Sequence, residues 1–266
     1  MANWVGYFED ALAELYNAGS GSVTGVNDSG ASTTAVYAVD LDHATRWLPG
    51  SSGTTREFRI NLGSSVEIVG VAIGGHNVST LCTLYTGASF GAKTTPQVAF
   101  TPASGVDTLA TFGAASSQFW TLDVTTPGAS TYVGTLSLMT SAGKVEFDGI
   151  GPRYPIPRPM SPGFAQVETA NGSVQTQIVG GVGQTLSLNF AYAKLASGEL
   201  WDDIEALYKS TNGFRKGVWV TDDAYTTPGR AYYGIPAGGL GGAVALAGGR
   251  VEGSLSLRIL PAGLGV

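Results

Sequence analysis

Residues 57–62, Glu-Phe-Arg-Ile-Asn-Leu, alternate polar and apolar side chains, and a period of two marks a strand with one buried face. The alternation returns in Trp120-Thr121-Leu122-Asp123-Val124 and through Leu186, Leu188 and Phe190. In the last strand-like run, Val251, Leu255, Leu257 and Ile259 are expected to point inward. Gly, Ser, Thr and Pro separate the runs, so residues 20–150 read as the short strands of a β-sandwich or jelly roll. Within residues 59–77, Asn61-Leu62-Gly63 reads as the end of one strand and Val66 to Ile73 as the next. Val69, Val71 and Ile73 then share a face, and Gly74-Gly75-His76-Asn77 stops the strand, with His76 a hydrogen-bonding turn or core residue.

Two segments carry helical spacing instead. Trp4, Phe8, Leu12, Leu15 and Tyr16 recur every three or four positions with Glu9, Asp10 and Glu14 between them, which predicts a short amphipathic helix. In residues 198–211, Leu200, Trp201, Ile204, Leu207 and Tyr208 form one apolar face, with Ser197 as N-cap and Asn212-Gly213 as stop. Prolines 152, 155, 157, 159 and 162 fix φ and cannot donate to a ladder, so they predict a stiff extended connector. The expected organisation is an N-terminal helical arm (1–19), a jelly roll (20–151), the connector (152–163), and a second β-sandwich with one packed helix (164–266). No repeat with a period of roughly 20–50 residues is present.

Composition narrows the function. Charged residues are 13% of the chain and Gly supplies 39 of 266 positions, which suits a turn-rich β protein. A net charge of −6 leaves no basic stripe for phosphates, so nucleic acid is not an expected partner. No apolar run approaches a membrane span, and the acidic N-terminus lacks the basic start and apolar core of a secretory leader. Cys82 stands alone, which excludes an internal disulfide and a thiolate zinc cluster. The sequons at Asn27, Asn77 and Asn171 therefore read as chance matches.

Catalytic chemistry has little to work with. His43 and His76 are the two histidines, so a nucleophile has few bases to pair with. Gly87-Ala88-Ser89-Phe90-Gly91 fits a nucleophile-elbow pattern, but no helix pattern follows, and the stretch reads as a loop. Asp202-Asp203 and Asp222-Asp223 read as a solvated helix start and a loop, and the Gly-rich runs complete no phosphate-binding motif. No enzyme is expected.

Asp40, Asp42, Thr45-Arg46-Trp47, Asn61-Leu62-Gly63 and the strand Val66–Ile73 occur in an order that resembles the first half of a discoidin-like, galactose-binding-like jelly roll. Leu41, where the family has Gly, and Asn61, where it has Asp, depart from the pattern. The resemblance implies a structural calcium held by Asp40, Asp42, Thr45 and the distal Glu146; the alternative is a metal-free turn in which Asp40 bonds nearby groups. It also implies sugar recognition by aromatic rings, with Trp47, Tyr85 and Phe90 as contacts. Trp47 and Trp120 also read as core residues.

The order of roll, Pro-rich connector, strands, the Gly198–Tyr208 helix and a terminal alternating strand is similar to structural proteins of tailed-bacteriophage tails, where a tail-tube or distal-tail-like β domain follows an accessory roll. That resemblance implies a non-enzymatic virion component of the tail tip or baseplate, made in the host bacterial cytoplasm. It would form a ring with copies of itself beside other tail proteins, needing no cofactor. Trp4, Phe8, Leu12, Tyr154 and Pro155 are the expected assembly contacts. The alternative is a carbohydrate-binding module that recognises a host-surface glycan.

Overall fold

The computed structural model describes residues 4–7, 9–12, 21–26, 34–40, 45–49, 55–147, 160–161, 164–168, 174–178, 183–194, 205–206, 208–209, 217–222, 229–236, 241–246 and 250–259. The fold is mainly β. Before the connector lie β1 (Trp4–Tyr7), β2 (Ser22–Val26), a 3-10 turn (Thr34–Ala38), β3 (Arg56–Gly74), β4 (Cys82–Gly87), β5 (Thr95–Phe100), β6 (Thr108–Val124), β7 (Thr135–Thr140) and β8 (Lys144–Phe147). Later in the chain come β9 (Met160–Ser161), β10 (Phe164–Glu168), β11 (Val174–Ile178), β12 (Gly183–Lys194), β13 (Val218–Asp222), β14 (Gly229–Pro236), β15 (Gly241–Leu246) and β16 (Arg250–Ile259), and apart from β9 the predicted connector, residues 152–163, lies outside the described residues. Residues 205–206 and 208–209 are helical, and Lys209 bridges Glu205 one turn back at 2.6 Å; the other residues of the predicted 198–211 helix lie outside the described residues.

The jelly roll is organised by one antiparallel ribbon, β3 with β6. Its outer halves join β2 on one side and β4 with β5 on the other, while its inner halves join β7 and β14. Both halves feed one core: Phe58, Ile60, Leu62, Trp120 and Leu122 from the first, Ile68, Val71, Ile73 and Ala110 from the second. The ribbon therefore folds across the core at its two register breaks, as strands that switch sheets do.

Those breaks correct two sequence expectations. Residues 59–74 form one strand rather than two, and Gly63-Ser64-Ser65 is a bulge within it. Gly63 takes φ 76°, a left-handed value that suits glycine, and Asn61 Oδ1 accepts from Gly63 N at 2.9 Å and from Gln118 Nε2 at 3.0 Å. The second break, between Ile68 and Gly70, leaves Val69 as an extra residue against β7, while against β6 the surplus lies in β6. Because side chains alternate, that one residue turns Val69 away from Val71 and Ile73 and toward a second cluster.

The second cluster joins strands from both sides of the connector. Tyr7, Ala72, Leu109 and Met139 pack with Trp219, Ala231 and Tyr233. Trp219 is 1% exposed, stacks on Tyr233 at 4.9 Å, and donates its Nε1–H to Ser137 Oγ at 3.0 Å. A Cβ on Gly74 would stand 3.0 Å from the indole edge, so the absent side chain is what admits the ring. Above this cluster β1 lies between β13 and β8, pairing with both.

The N-terminal arm is thus a strand over residues 4–7, not a helix, although Ala11 and Leu12 are helical. Pairing on both edges outweighs a helical periodicity carried by few residues. Leu12 is fully buried in the jelly-roll core, which removes it from any assembly surface. Asp10, read as part of a polar helix face, is buried: its Oδ1 accepts from Leu12 N at 2.9 Å and Leu138 N at 3.1 Å. After the connector, Leu255, Leu257 and Ile259 are buried as expected, and Val251's side chain lies outside the described residues.

Truncating Trp219 to Ala should cost about 3–5 kcal/mol in urea unfolding, the range for a fully buried Trp, whereas Ser137→Ala should cost only about 1 kcal/mol. Equal small losses would show that the indole is not the packing centre.

Candidate functional site

At the end of β3 the backbone leaves the sheet through Gly74, Gly75, His76 and Asn77. His76 is fully buried: Val78 N donates to its Nδ1 at 3.1 Å, so Nε2 carries the proton and donates to Val106 O at 2.9 Å. Burial pushes its pKa down to about 4, and the ring is a neutral brace. This matches the reading of His76 as a hydrogen-bonding turn residue.

Asn77 reaches a distant loop. Its Nδ2 donates to Ser130 O at 2.9 Å, its Oδ1 accepts from Tyr132 N at 2.7 Å, and its own N–H donates to Tyr132 O at 3.3 Å. The sequon amide is therefore engaged in holding residues 130–132. Next to it, Trp47 and Val133 exchange both backbone hydrogen bonds, at 2.9 and 3.0 Å. This pairing sets the Arg46 guanidinium 4.1 Å from the Tyr132 ring centroid. Thr125 N donates to Leu81 O at 2.9 Å, and the following Thr126 holds φ 41°. A β-branched residue there costs roughly 1–3 kcal/mol and persists only where its surroundings impose it. Leu48 and Leu81 expose large apolar groups on these segments. The product is a loop cluster that presents a cation, an aromatic face and apolar surface on a rigid base.

The sequence-predicted residues are not brought together. Trp47 is fully buried, edge-on to Phe58 at 5.1 Å, so it supports the cluster from below instead of contacting a ligand. Trp120 is also fully buried and donates Nε1–H to Ser117 O at 3.0 Å. Tyr85 is partly exposed on β4, and Phe90 is 40% exposed in the β4–β5 loop, at the opposite end of β4 from Leu81. That loop is a hairpin connection, so Ser89 does not stand on a strand-to-helix elbow.

Beside Tyr85 runs a charge network. Glu57 meets Arg59 at 2.6 Å and Lys93 at 2.8 Å, and Lys93 meets Asp123 at 2.9 Å. Burial opposes ionisation of Glu57, but Lys93 and Arg59 outweigh it and hold its pKa below the usual value. In Asp123, burial wins over Lys93 and the pKa rises. These charges are spent on each other, which fixes the β4–β5 loop on the sheet.

For the implied calcium turn, Asp40 and Thr45 do meet: Thr45 Oγ1 donates to Asp40 Oδ2 at 2.7 Å. That bond fits a turn closed without metal, and it also holds together two of the four residues named for the calcium site. Asp42 and the Glu146 side chain lie outside the described residues, and no metal-ligating group of three appears among the described ones. Phe8, Tyr154, Pro155 and the Trp4 side chain also lie outside them. No helix among the described residues is long and apolar enough to cross a membrane. Arg46, Asn77 and Tyr132 were missed as site residues; the only local signal was Arg46 inside the Thr45-Arg46-Trp47 motif.

No protein-family model matches the chain, and no curated protein shows significant similarity. Solved structures match part of the chain. Chitosan-binding module 2 of a chitosanase/glucanase from Paenibacillus sp. IK-5, in complex with chitotriose, is 20% identical and covers 45% of this chain and 96% of its own, with a TM-score of 0.39. The family 32 module of C. perfringens NanJ, in complex with galactose, is 14% identical over 45% of this chain and 93% of its own, at 0.38. The family 32 module of AlyQ, in complex with 4,5-unsaturated mannuronic acid, is 16% identical over 44% and 93%, at 0.35. What each module holds is a property of that module.

His76 gives the site a pH signature. Unfolded, it protonates near pH 6.5; folded, only near pH 4. Its stabilising contribution is complete above 6.5 and is lost as the pH falls toward 4, because the unfolded chain takes the extra proton. The decline in urea-unfolding stability from pH 7 to 4.5 should be about 2 kcal/mol shallower in His76→Gln than in the unsubstituted protein. Parallel declines would place the titration elsewhere.

Proposed function

We propose that the protein is a non-enzymatic glycan-binding protein whose ligand surface is the loop cluster of Arg46, Asn77 and Tyr132. The observation that carries this reading is the Arg46 guanidinium stacked on Tyr132 at 4.1 Å, on a loop that Asn77 grips by three hydrogen bonds. A sugar ring offers apolar C–H faces and rows of hydroxyls. The partly exposed Tyr132 ring, with the Arg46 guanidinium over it, brings apolar surface and a cation together at low conformational cost, since the groups are ordered before binding.

The wider reading places this surface on a phage tail or baseplate, facing a host-surface glycan, with the C-terminal strands meeting neighbours in a ring. Its support is the order of segments and an edge: among the described residues β15 pairs only with β16, which leaves its outer side for a neighbour's strand. Mass photometry of the purified protein should then show closed rings, and a monomer at micromolar concentration would contradict that part.

A glycan array followed by calorimetric titration of the strongest hit tests the binding reading. Tyr132→Ala and Arg46→Ala should each weaken binding at least tenfold, about 1.4 kcal/mol, while Phe90→Ala at the far end of β4 leaves it unchanged. An array without hits, or a loss that follows Phe90 rather than Tyr132, would overturn the assignment.

A further inference from the structure

The loop cluster is tied to the strands beyond the connector by an unbroken set of contacts. Trp219 packs against Gly74 at the start of the turn. One residue on, Gly75 N donates to Asp107 Oδ1 at 3.0 Å, and Ala231 N on β14 donates to the same residue's backbone oxygen at 3.1 Å. Asp107, buried at 6% exposure, therefore holds the turn with its side chain and the C-terminal strands with its backbone. His76 continues the set: its ring donates to Val106 O, which also accepts from Thr108 Oγ1 at 2.8 Å, and its carbonyl accepts from Gly105 N at 3.0 Å. Gly134 N donates to Gly75 O at 3.2 Å, and the next residue, Asn77, grips Ser130 and Tyr132.

We propose that Asp107 and Trp219 are positioning residues for the loop cluster: docking of the C-terminal strands, transmitted through the Gly74–Asn77 turn, sets where Tyr132 stands and so where Arg46 lies on it. A turn free of Trp219 and Ala231 would keep its bond to Asp107 but lose the packing that fixes Gly74 and the backbone bond that fixes Asp107. Tyr132 would then follow the turn, because Asn77 bonds its amide and its carbonyl together. The two parts of the chain thereby form one ligand surface although every residue of that surface lies before the connector. This rests on the glycan-binding reading for its significance, but its test needs no ligand.

Amide hydrogen exchange on the full chain provides that test. The reporters are the Asn77 and Tyr132 amides, bonded to Tyr132 O and Asn77 Oδ1, and the control is the Thr94 amide, bonded to Thr86 O at 2.8 Å in the β4–β5 hairpin. Asp107→Ala should speed exchange at Asn77 and Tyr132 at least tenfold and leave Thr94 unchanged, and Asp107→Asn, which keeps an oxygen for Gly75 N–H, should restore most of the protection. Trp219→Phe, which keeps a ring against Gly74 but drops the Ser137 bond, should give a smaller loosening at the same two amides. Uniform acceleration at all three amides would reduce Asp107 to a general stabiliser, and unchanged exchange at Asn77 and Tyr132 would break the coupling; either result overturns the proposal. An array without hits removes the glycan reading but leaves these exchange results standing.

Discussion

The Trp219 indole lies tight against Gly74, where even a methyl group would stand only 3.0 Å from the ring, and much of the architecture follows from that contact. The ring is 1% exposed, lies against strands from both sides of the connector, and has its one polar atom matched by Ser137 Oγ. Burying a Trp with its N–H bonded is among the most favourable single contributions available to a β protein. A branched residue at position 74 would exclude the ring and open the Tyr7, Ala72, Met139 and Tyr233 cluster around it.

The bulges in β3 make this possible. The insertion at Val69 divides one strand between two cores: Ile68, Val71 and Ile73 serve the jelly roll, while Val69 and Ala72 serve the Trp219 cluster. Without the extra residue, strict alternation would commit all of one face to one core. β3 therefore lies in both packing layers, and the turn at its end inherits rigidity from both. That turn carries His76 and Asn77, the first bracing it from inside and the second projecting its order onto the Tyr132 loop.

Regular alternation was legible wherever a strand has one uninterrupted buried face. Glu57–Leu62, Trp120–Val124 and Leu255–Ile259 stand in strands with the inward positions buried as read. β1 was not legible, since its four residues become a strand through hydrogen bonds to β8 and β13, far along the chain. The Val69 insertion was also hidden, because a bulge shows only when the partner strand's register is known. The loop cluster was the least legible part. Asn77 finds its partners 53 and 55 residues away, and neither the loop nor the Arg46–Tyr132 stack leaves a local pattern. Aromatic residues chosen from the sequence instead fell into the core, as Trp47 did, or onto the β4 side, as Tyr85 and Phe90 did.

The Gly74–Asn77 turn at one end of the roll thus lies against packing shared with later strands, and residues on either side of position 152 are joined in one sheet. Sharing a core should make those segments unfold together. Differential scanning calorimetry of the intact chain measures that directly: a shared core predicts a single endotherm whose calorimetric and van't Hoff enthalpies agree, and two separable transitions, one for each side of the connector, would contradict it.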